Sequence, residues 1–391
     1  TPVLAAISRR YRERENHISS DSWPIYISLQ KDGILFKMRR TQDLPDKESA
    51  TMFFQDCKLA HQAQITGISH SVKEILPPDL LDLTQLQKEA NIRYGFTASE
   101  VYDIAQSLYE KKLISYPRTS SRYLTEDVFD SLPPIMARLL SWELFPAAKG
   151  TGGIDISNLS RHVISAEKAN VHHAIIITGI CPGNLSEKEI LVYRLVAGRM
   201  LEAFMPPCRI ETTNVEAVCA AQHFKAEQTR IIEAGWHDVF MRSDMVPKSG
   251  YSVNELPEVK KGDNLNVCGC NMVHKKQLSV DPFTDAELVE YMELNGLGTV
   301  SSRTNIIRTL VNRKYIRYSG KYIVPTPKGM FTYETIRGKK IADTSLTADW
   351  EKQLAGLESG MITGQDFLNR IRTLAKEMTD DIFNTYSTKE E

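Results

Sequence analysis

Ile25, Ile27 and Leu29 alternate with polar residues, the period of a strand with one buried face. Asp32-Gly33 turns this run back into Ile34-Leu-Phe-Lys-Met38, so the pattern predicts a hairpin. The period then changes. Val101, Ile104, Ala105, Leu108 and Tyr109 recur at helical spacing. Thr97-Ala-Ser-Glu100 ahead of them supplies the hydroxyl and carboxylate of a capping box, and Lys111 and Lys112 suit a last turn, where the helix dipole favours cations. A further helix runs from about Ser186 to Phe204 and stops at Pro206-Pro207. Alternation returns from Arg209 to about Met272, in runs such as Thr213–Val218 and Leu265–Cys268.

Near the other end, Thr284-Asp-Ala-Glu287 is a second capping box, and the helix it opens should end at Asn295-Gly296. Ser301 and Ser302 are placed to cap a next helix with Ile306, Ile307, Leu310 and Val311 as its apolar stripe. Two extended runs, Tyr315–Tyr318 and Lys321–Val324, meet at Ser319-Gly320, a tight-turn sequence. Helix, turn, helix and hairpin make a winged-helix-like unit, a common nucleic-acid platform.

Charge sharpens that reading. The 391 residues carry 48 cations and 49 carboxylates, so the total is uninformative. Their distribution is not. From Leu294 to Tyr333 come Arg303, Arg308, Arg313, Lys314, Arg317, Lys321 and Lys328, with no carboxylate among them. Such a window reads as a phosphate-facing surface or as a solvated helix face. Thr299, Ser301, Ser302 and Arg303 would offer hydroxyls, helix N–H groups and a cation to phosphates, although each hydroxyl also serves as a cap. The Arg9-Arg-Tyr-Arg-Glu-Arg14 run is diluted by Glu13 and Glu15. No run of 18 apolar residues exists to span a membrane. The six cysteines include one close pair, Cys268-x-Cys270, spaced wrongly for a zinc ribbon and expected as thiols in a reducing cytosol. Gly150-Thr-Gly-Gly153 lacks the Gly-Lys-Ser/Thr that would complete a P-loop.

The stretch with most chemistry is Leu113-Ile-Ser-Tyr-Pro-Arg-Thr-Ser-Ser-Arg-Tyr-Leu124. Tyr116 precedes a proline, which favours extended backbone, so Tyr116 and Arg118 should project to one side. A phenol beside a permanent cation suits attack on a phosphodiester, with the tyrosine as nucleophile and the arginine bracing phosphate oxygens. His172 opens His172-His-Ala-Ile-Ile-Ile-Thr178; a histidine there either satisfies local structure or contacts phosphate. No carboxylate or cysteine sits at ligand spacing beside the histidines, so no metal ligands are assigned.

Several blocks together resemble type IA DNA topoisomerases, particularly the topoisomerase III branch. They are Asp82–Phe96, the helix after Thr97, Tyr116-Pro-Arg-Thr119, the His172–Thr178 block, Asn295-Gly-Leu-Gly-Thr-Val-Ser-Ser-Arg303 and Leu346-Thr-Ala-Asp-Trp-Glu-Lys352; Thr1–Ala5 resembles the segment after the family's first domain. The resemblance implies an α+β multidomain fold, a toroidal type IA core. Its parts would be a β arch (22–87 and 207–278), a helical tyrosine domain (88–206) and a discontinuous, winged-helix-like DNA-binding base (1–21 and 279–391). It implies cleavage and religation of single-stranded DNA for strand passage, through a 5′-phosphotyrosyl link, without ATP. Tyr116, Arg118 and His172 would be catalytic, and Thr299, Ser301, Ser302, Arg303, Arg308 and Arg313 would bind DNA.

A free tyrosine loses its proton only near pH 10, so the nucleophile needs help. Family members carry an N-terminal TOPRIM domain with a glutamate, a lysine and an Asp-x-Asp motif for Mg2+, and no Asp-x-Asp occurs here. The expectation is therefore a TOPRIM-less core fragment that begins without methionine, binds no cofactor itself and cleaves poorly alone. Ser120 stands where many relatives have aspartate, and Val300 where proline is common. The expected location is cytoplasmic, on the nucleoid, with single-stranded DNA as partner and no protein partner indicated. Two rivals stay open: a non-catalytic single-strand-binding module with this fold, and a tyrosine recombinase. In the latter the tyrosine normally follows its arginine and histidine partners, whereas Tyr116 precedes His172.

Overall fold

The first helix, α1 (Pro2–Glu15), buries Val3, Leu4 and Ile7 and has proline in its first turn, where the missing N–H costs nothing. The computed structural model describes residues 1–17, 21–142, 145, 154–169, 172–240, 248–276, 279–358 and 360–387. Strands β1 (Ile25–Lys31) and β2 (Ile34–Arg40) form the expected hairpin. Asp32 and Gly33 both take positive φ (52° and 82°), as a two-residue turn of that twist requires. Ile25, Ile27 and Leu29 are fully buried.

Helix α2 (Lys47–Leu59), capped by Asp46, precedes the long strand β3 (Gln62–Ile75). Helices α3 (Leu83–Tyr94) and α4 (Ala98–Glu110) follow. Both halves of the Thr97–Glu100 capping box form on α4. Lys111 is its C-cap and Lys112 lies beyond it at φ 59°, so neither lysine belongs to the last turn proper. Helix α5 (Glu187–Phe204) starts at Ser186 with another capping box. Strands β4 (Cys208–Cys219), β5 (Gln222–Glu233) and β6 (Asn264–Met272) complete the second β region.

The two β regions close into one antiparallel barrel in the order β1-β2-β5-β4-β3-β6, with β6 returning to β1. Its core holds Ile27, Met38, Ile65, Ala217 and Phe224. A larger helical core joins Leu86, Val101, Ala105, Leu108, Ile114, Ile175, Val196 and Met200. Each fully buried Leu, Ile, Val or Met side chain among these contributes about 1.5–3 kcal/mol.

The third core is made by α1 together with α6 (Asp285–Leu294), α7 (Val300–Asn312) and the strands β7 (Ile316–Ser319) and β8 (Tyr322–Pro325). It brings Val3, Leu4 and Ile7 against Leu288, Met292, Ile307 and Ile323, so residues from the start of the chain pack with residues about 300 positions later. The α6 capping box at Thr284–Glu287 forms, and Gly296 (φ 61°) follows its Asn295 C-cap. Two local details differ from the sequence reading. Ser319 pairs with Tyr322, so the hairpin turns at Gly320-Lys321, one residue later than expected. The N-cap of α7 is Thr299, not Ser301 or Ser302. Helices α8 (Pro327–Ile336), α9 (Thr344–Glu358) and α10 (Gly364–Ser387) finish the described chain, with the Leu346–Lys352 block inside α9. The Gly150–Gly153 stretch lies outside the described residues.

Candidate active site

The tyrosine segment leaves α4 abruptly. Leu113 N–H still reaches back to the Leu108 carbonyl (3.0 Å), and the left-handed Lys112 turns the chain away from the helix axis. Ile114 then pairs with Ile177 in an antiparallel bridge. Ser115 fastens the join: its N–H donates to the Ile176 carbonyl (2.8 Å), its Oγ donates to the Ala174 carbonyl (3.0 Å), and that Oγ accepts from the Ile176 N–H (2.9 Å). Further along, Thr119 Oγ1 donates to the His172 carbonyl (2.8 Å), and the Ala174 N–H donates to the Tyr123 carbonyl (2.9 Å). Two stretches separated by more than fifty residues are thereby laced on either side of Tyr116.

The result is a ring cluster. The half-buried Tyr116 lies 4.5 Å from the His172 ring centroid and 5.4 Å, edge-on, from that of Tyr109. His172 is exposed. Arg118 Cζ sits 5.1 Å above the Tyr102 ring, and its Nη2 donates to Gln106 Oε1 (3.2 Å). Its Nε is buried with no hydrogen-bond partner among the described residues. Tyr102, Gln106 and Tyr109 are four and three residues apart on α4, so they share one face. Tyr116 and Arg118 therefore rest on the same face of α4, one against Tyr109 and the other against Tyr102 and Gln106. All three residues expected at the catalytic site lie against this helix or against one another.

A buried carboxylate anchors the helix end nearest the tyrosine. Glu189, the reciprocal partner in the α5 capping box, accepts from Lys111 Nζ (2.6 Å) and Ser107 Oγ (2.7 Å). The Lys111 ammonium first, then the Ser107 hydroxyl and the Ser186 N–H, hold its pKa down to about 2. His173 Nδ1 is occupied locally, 2.7 Å from the Ala174 carbonyl, and His162 pairs with Ser160.

The residues expected to meet DNA divide into two groups. Thr299 and Ser301 are exposed at the start of α7, and Arg313 is exposed at its end. Ser302 is spent partly on capping, its Oγ accepting from the Thr299 N–H at 2.8 Å. Arg303 differs from its expectation as a surface cation: it is buried at 8% exposure, and Nη1 donates to Glu293 Oε1 (3.2 Å) and Thr84 Oγ1 (3.1 Å). Arg308 reaches from α7 to α4, donating to Asp103 Oδ2 (2.8 Å) and Ser99 Oγ (2.9 Å). These two cations join the helical core to the third core.

They belong to a polar seam that no local pattern revealed. Gln87 Nε2 donates to Thr304 Oγ1 (2.9 Å), Lys88 pairs with Glu290 (2.5 Å), and Arg122 pairs with the buried Asp82 (2.7 Å). Burial raises the Asp82 pKa, against the pull of the Gln85 N–H and Arg122. At the centre, Asp285 Oδ1 accepts from the Ala98 N–H (3.2 Å) and the Tyr318 hydroxyl (3.1 Å). Burial pushes its pKa up to about 6, outweighing both donors. Of the residues that hold Tyr116 and Arg118 in place, Tyr109 stands in the helical pattern and Thr119 in the Tyr116–Thr119 block, whereas Tyr102, Gln106 and Ser115 give no local sign.

A family model described as DNA topoisomerase matches residues 1–369. The chain belongs to the type IA DNA topoisomerase family. DNA topoisomerase 3 of Bacillus licheniformis is 29% identical over 407 residues, taking in 98% of this chain and 55% of the relative. DNA topoisomerase 3 of Bacillus subtilis is 29% identical over 423 residues, with 99% of this chain and 56% of the relative covered. The chain thus spans about half the length of the curated relatives it matches. Full-length topoisomerase I from Thermotoga maritima superposes with a TM-score of 0.74, covering 96% of this chain and 62% of that one at 21% identity, a likeness of fold. Among the described residues, no group of three or more His, Cys, Asp or Glu is arranged to hold a metal ion, and no helix is long and apolar enough to cross a membrane. No chemical step is derived through a metal.

Proposed function

We propose that this chain is the strand-breaking core of a topoisomerase acting on single-stranded DNA. The observation that carries the reading is that Tyr116 and Arg118 rest on one face of α4 with His172 packed against the Tyr116 ring, the tyrosine segment being laced to the histidine segment by Ser115 and Thr119. The Tyr116 oxygen attacks the scissile phosphorus as the P–O3′ bond breaks; the new bond is a 5′-phosphotyrosyl ester, and the proton given up by the phenol ends on the departing 3′-oxygen, which leaves as a hydroxyl. Arg118, two residues along the chain from the nucleophile, carries an N–H without a partner among the described residues, and its guanidinium is suited to the charge that builds on phosphate oxygens. His172, exposed beside the ring, is placed to donate to a neighbouring phosphate oxygen. Religation is the reverse attack by the 3′-hydroxyl, so bond energy is conserved and no nucleotide is consumed. Exposed Thr299, Ser301 and Arg313 offer backbone contacts along α7.

The test is a trapping assay. The chain is incubated with Mg2+ and 5′-labelled single-stranded oligonucleotide, alone and with a metal-binding domain of the family added, then denatured. The expected result is a protein–DNA adduct with the added domain that disappears in Tyr116→Phe, while that variant binds DNA with unchanged affinity. Tight single-strand binding with no adduct under any condition would favour a non-catalytic binding module of the same fold.

A further inference from the structure

A cleft of about 1040 Å3 opens in the third core between α1, α6, α8 and the turn that follows α8. Five cations line it, Arg9, Arg12, Arg337, Lys339 and Lys340, against two carboxylates, Glu13 and Asp343. None of the contacts that define the tyrosine site involves these residues. The helical period of α1 turns Arg9 and Arg12 to this side and Arg10 away, onto the Phe283 ring 4.1 Å distant. The basic run that looked diluted in sequence is thus sorted by the helix, and part of it gathers with a second basic group, Arg337-Gly-Lys-Lys340, which is more than 320 residues away.

Among the described residues Arg9 has no carboxylate partner; its Nη2 donates to the Tyr291 hydroxyl (3.3 Å), whose half-buried ring forms part of the wall. Arg12 and Arg337 share one carboxylate, Glu334. The two lysines are met by α10, Lys339 by Asp381 (3.0 Å) and Lys340 by Glu377 (3.3 Å). The Lys340–Glu377 pair is exposed on both sides, the kind that contributes about 0–1 kcal/mol and yields to a stronger anion.

We infer that this cleft is a second nucleic-acid site, binding the phosphodiester backbone of a single strand apart from the tyrosine site. The cations are spread over two segments, α1 and the turn after α8, rather than focused on one point, which matches a row of phosphates better than one small anion. An aromatic wall beside a cationic track is the usual combination for single strands, where bases stack while phosphates are neutralised. Glu377 and Asp381 then act as resident competitors for the lysines. The inference shares its substrate class with the function proposed above but not its residues, so each can fail alone.

The test is anisotropy of a labelled oligothymidylate with the full chain across a salt series. Arg9→Glu with Lys340→Glu should weaken binding at least tenfold and reduce the log–log salt slope by about 1.4, at ~0.7 per phosphate contact on single strands. Glu377→Gln should tighten it a few-fold. Loss of affinity in Arg118→Ala with no change in the cleft variant would overturn the cleft and leave the tyrosine site standing; the opposite pattern would establish the cleft without it. A cleft variant with lowered melting temperature and unchanged affinity would assign these cations to pinning α10 and overturn the inference. Equal competition by poly-glutamate would reassign the cleft to acidic protein and overturn it as well. As a measurement free of mutation, photo-crosslinking an iodouracil-substituted oligonucleotide to the unaltered chain should label Tyr291 or α1. Labelling confined to residues around Tyr116 would refute the second site.

Discussion

Replacing Asp285 by asparagine tests whether the seam between the helical core and the third core is electrostatically strained. The carboxyl is 2% exposed, accepts two hydrogen bonds on one oxygen, and titrates at about 6 instead of 3.8 because burial disfavours its charge. An acid with a raised folded pKa contributes most to stability below its unfolded value, and that contribution is lost as pH rises through the folded value. At 1.36 kcal/mol per pH unit, the rise from 3.8 to about 6 corresponds to about 3 kcal/mol lost between pH 4 and pH 7. Asp285→Asn keeps the accepting oxygen and abolishes the titration. Urea denaturation of both proteins at pH 4 and pH 7.5 isolates the effect, since every other titrating group cancels in the difference of differences. The variant should gain about 3 kcal/mol relative to the parent on going from the lower to the higher pH, whatever its absolute stability. A difference of differences near zero, or one of opposite sign, would refute the claim that Asp285 is held in a site that disfavours its ionisation.

Ser115→Ala should destabilise the chain by about 1–3 kcal/mol, because it strands the Ile176 N–H, and should lower adduct yield more than DNA affinity in the trapping assay. Arg122→Ala leaves the buried Asp82 without its cation and should cost about 3–5 kcal/mol; adding Asp82→Asn should recover part of that loss in thermal denaturation, and failure to recover it would disprove the pairing as the cause. Gly329→Ala should destabilise the third core by more than ~1 kcal/mol, since a Cβ there would collide with the Tyr315 carbonyl. Ala221→Gly should raise the melting temperature, because Ala220 and Ala221 hold the β4–β5 turn at φ 47° and 58°, a conformation that costs a non-glycine residue about 1 kcal/mol.

What was legible in the sequence was local. The capping boxes at Thr97 and Thr284 show themselves within four residues. The alternation of Ile25, Ile27 and Leu29 likewise gives their burial directly. Closure of the barrel was not legible, because it pairs β3 with β4 and β1 with β6 across gaps of well over a hundred residues, and no short-range pattern encodes those registers. The helix α2 escaped notice as well: Met52 and Leu59 are exposed, which blurs its apolar stripe.

The cations show most clearly why charge along a sequence is a poor guide to charge in space. Arg303 and Arg308 sit in a 40-residue window free of carboxylates, and on that basis they read as phosphate-facing. Their partners come from elsewhere: Asp103 and Ser99 are about two hundred residues upstream of Arg308, Thr84 lies still further from Arg303, and Glu293 falls one residue outside the window. Conversely, the α1 run looked neutralised by its own glutamates, yet the helix turns Arg9 and Arg12 towards a cleft shared with Arg337, Lys339 and Lys340. Arg303, buried against Glu293, has already exchanged its hydration for that partner and gains little from a phosphate. A cation at a cleft wall, facing exposed carboxylates, keeps its capacity to bind. By that criterion the basic surface of this chain lies less in the α7 window than in the α1–α8 cleft, and the paired salt-slope measurements on Arg9/Lys340 and Arg313 variants decide between them: the larger fall in slope marks the surface that meets the phosphates.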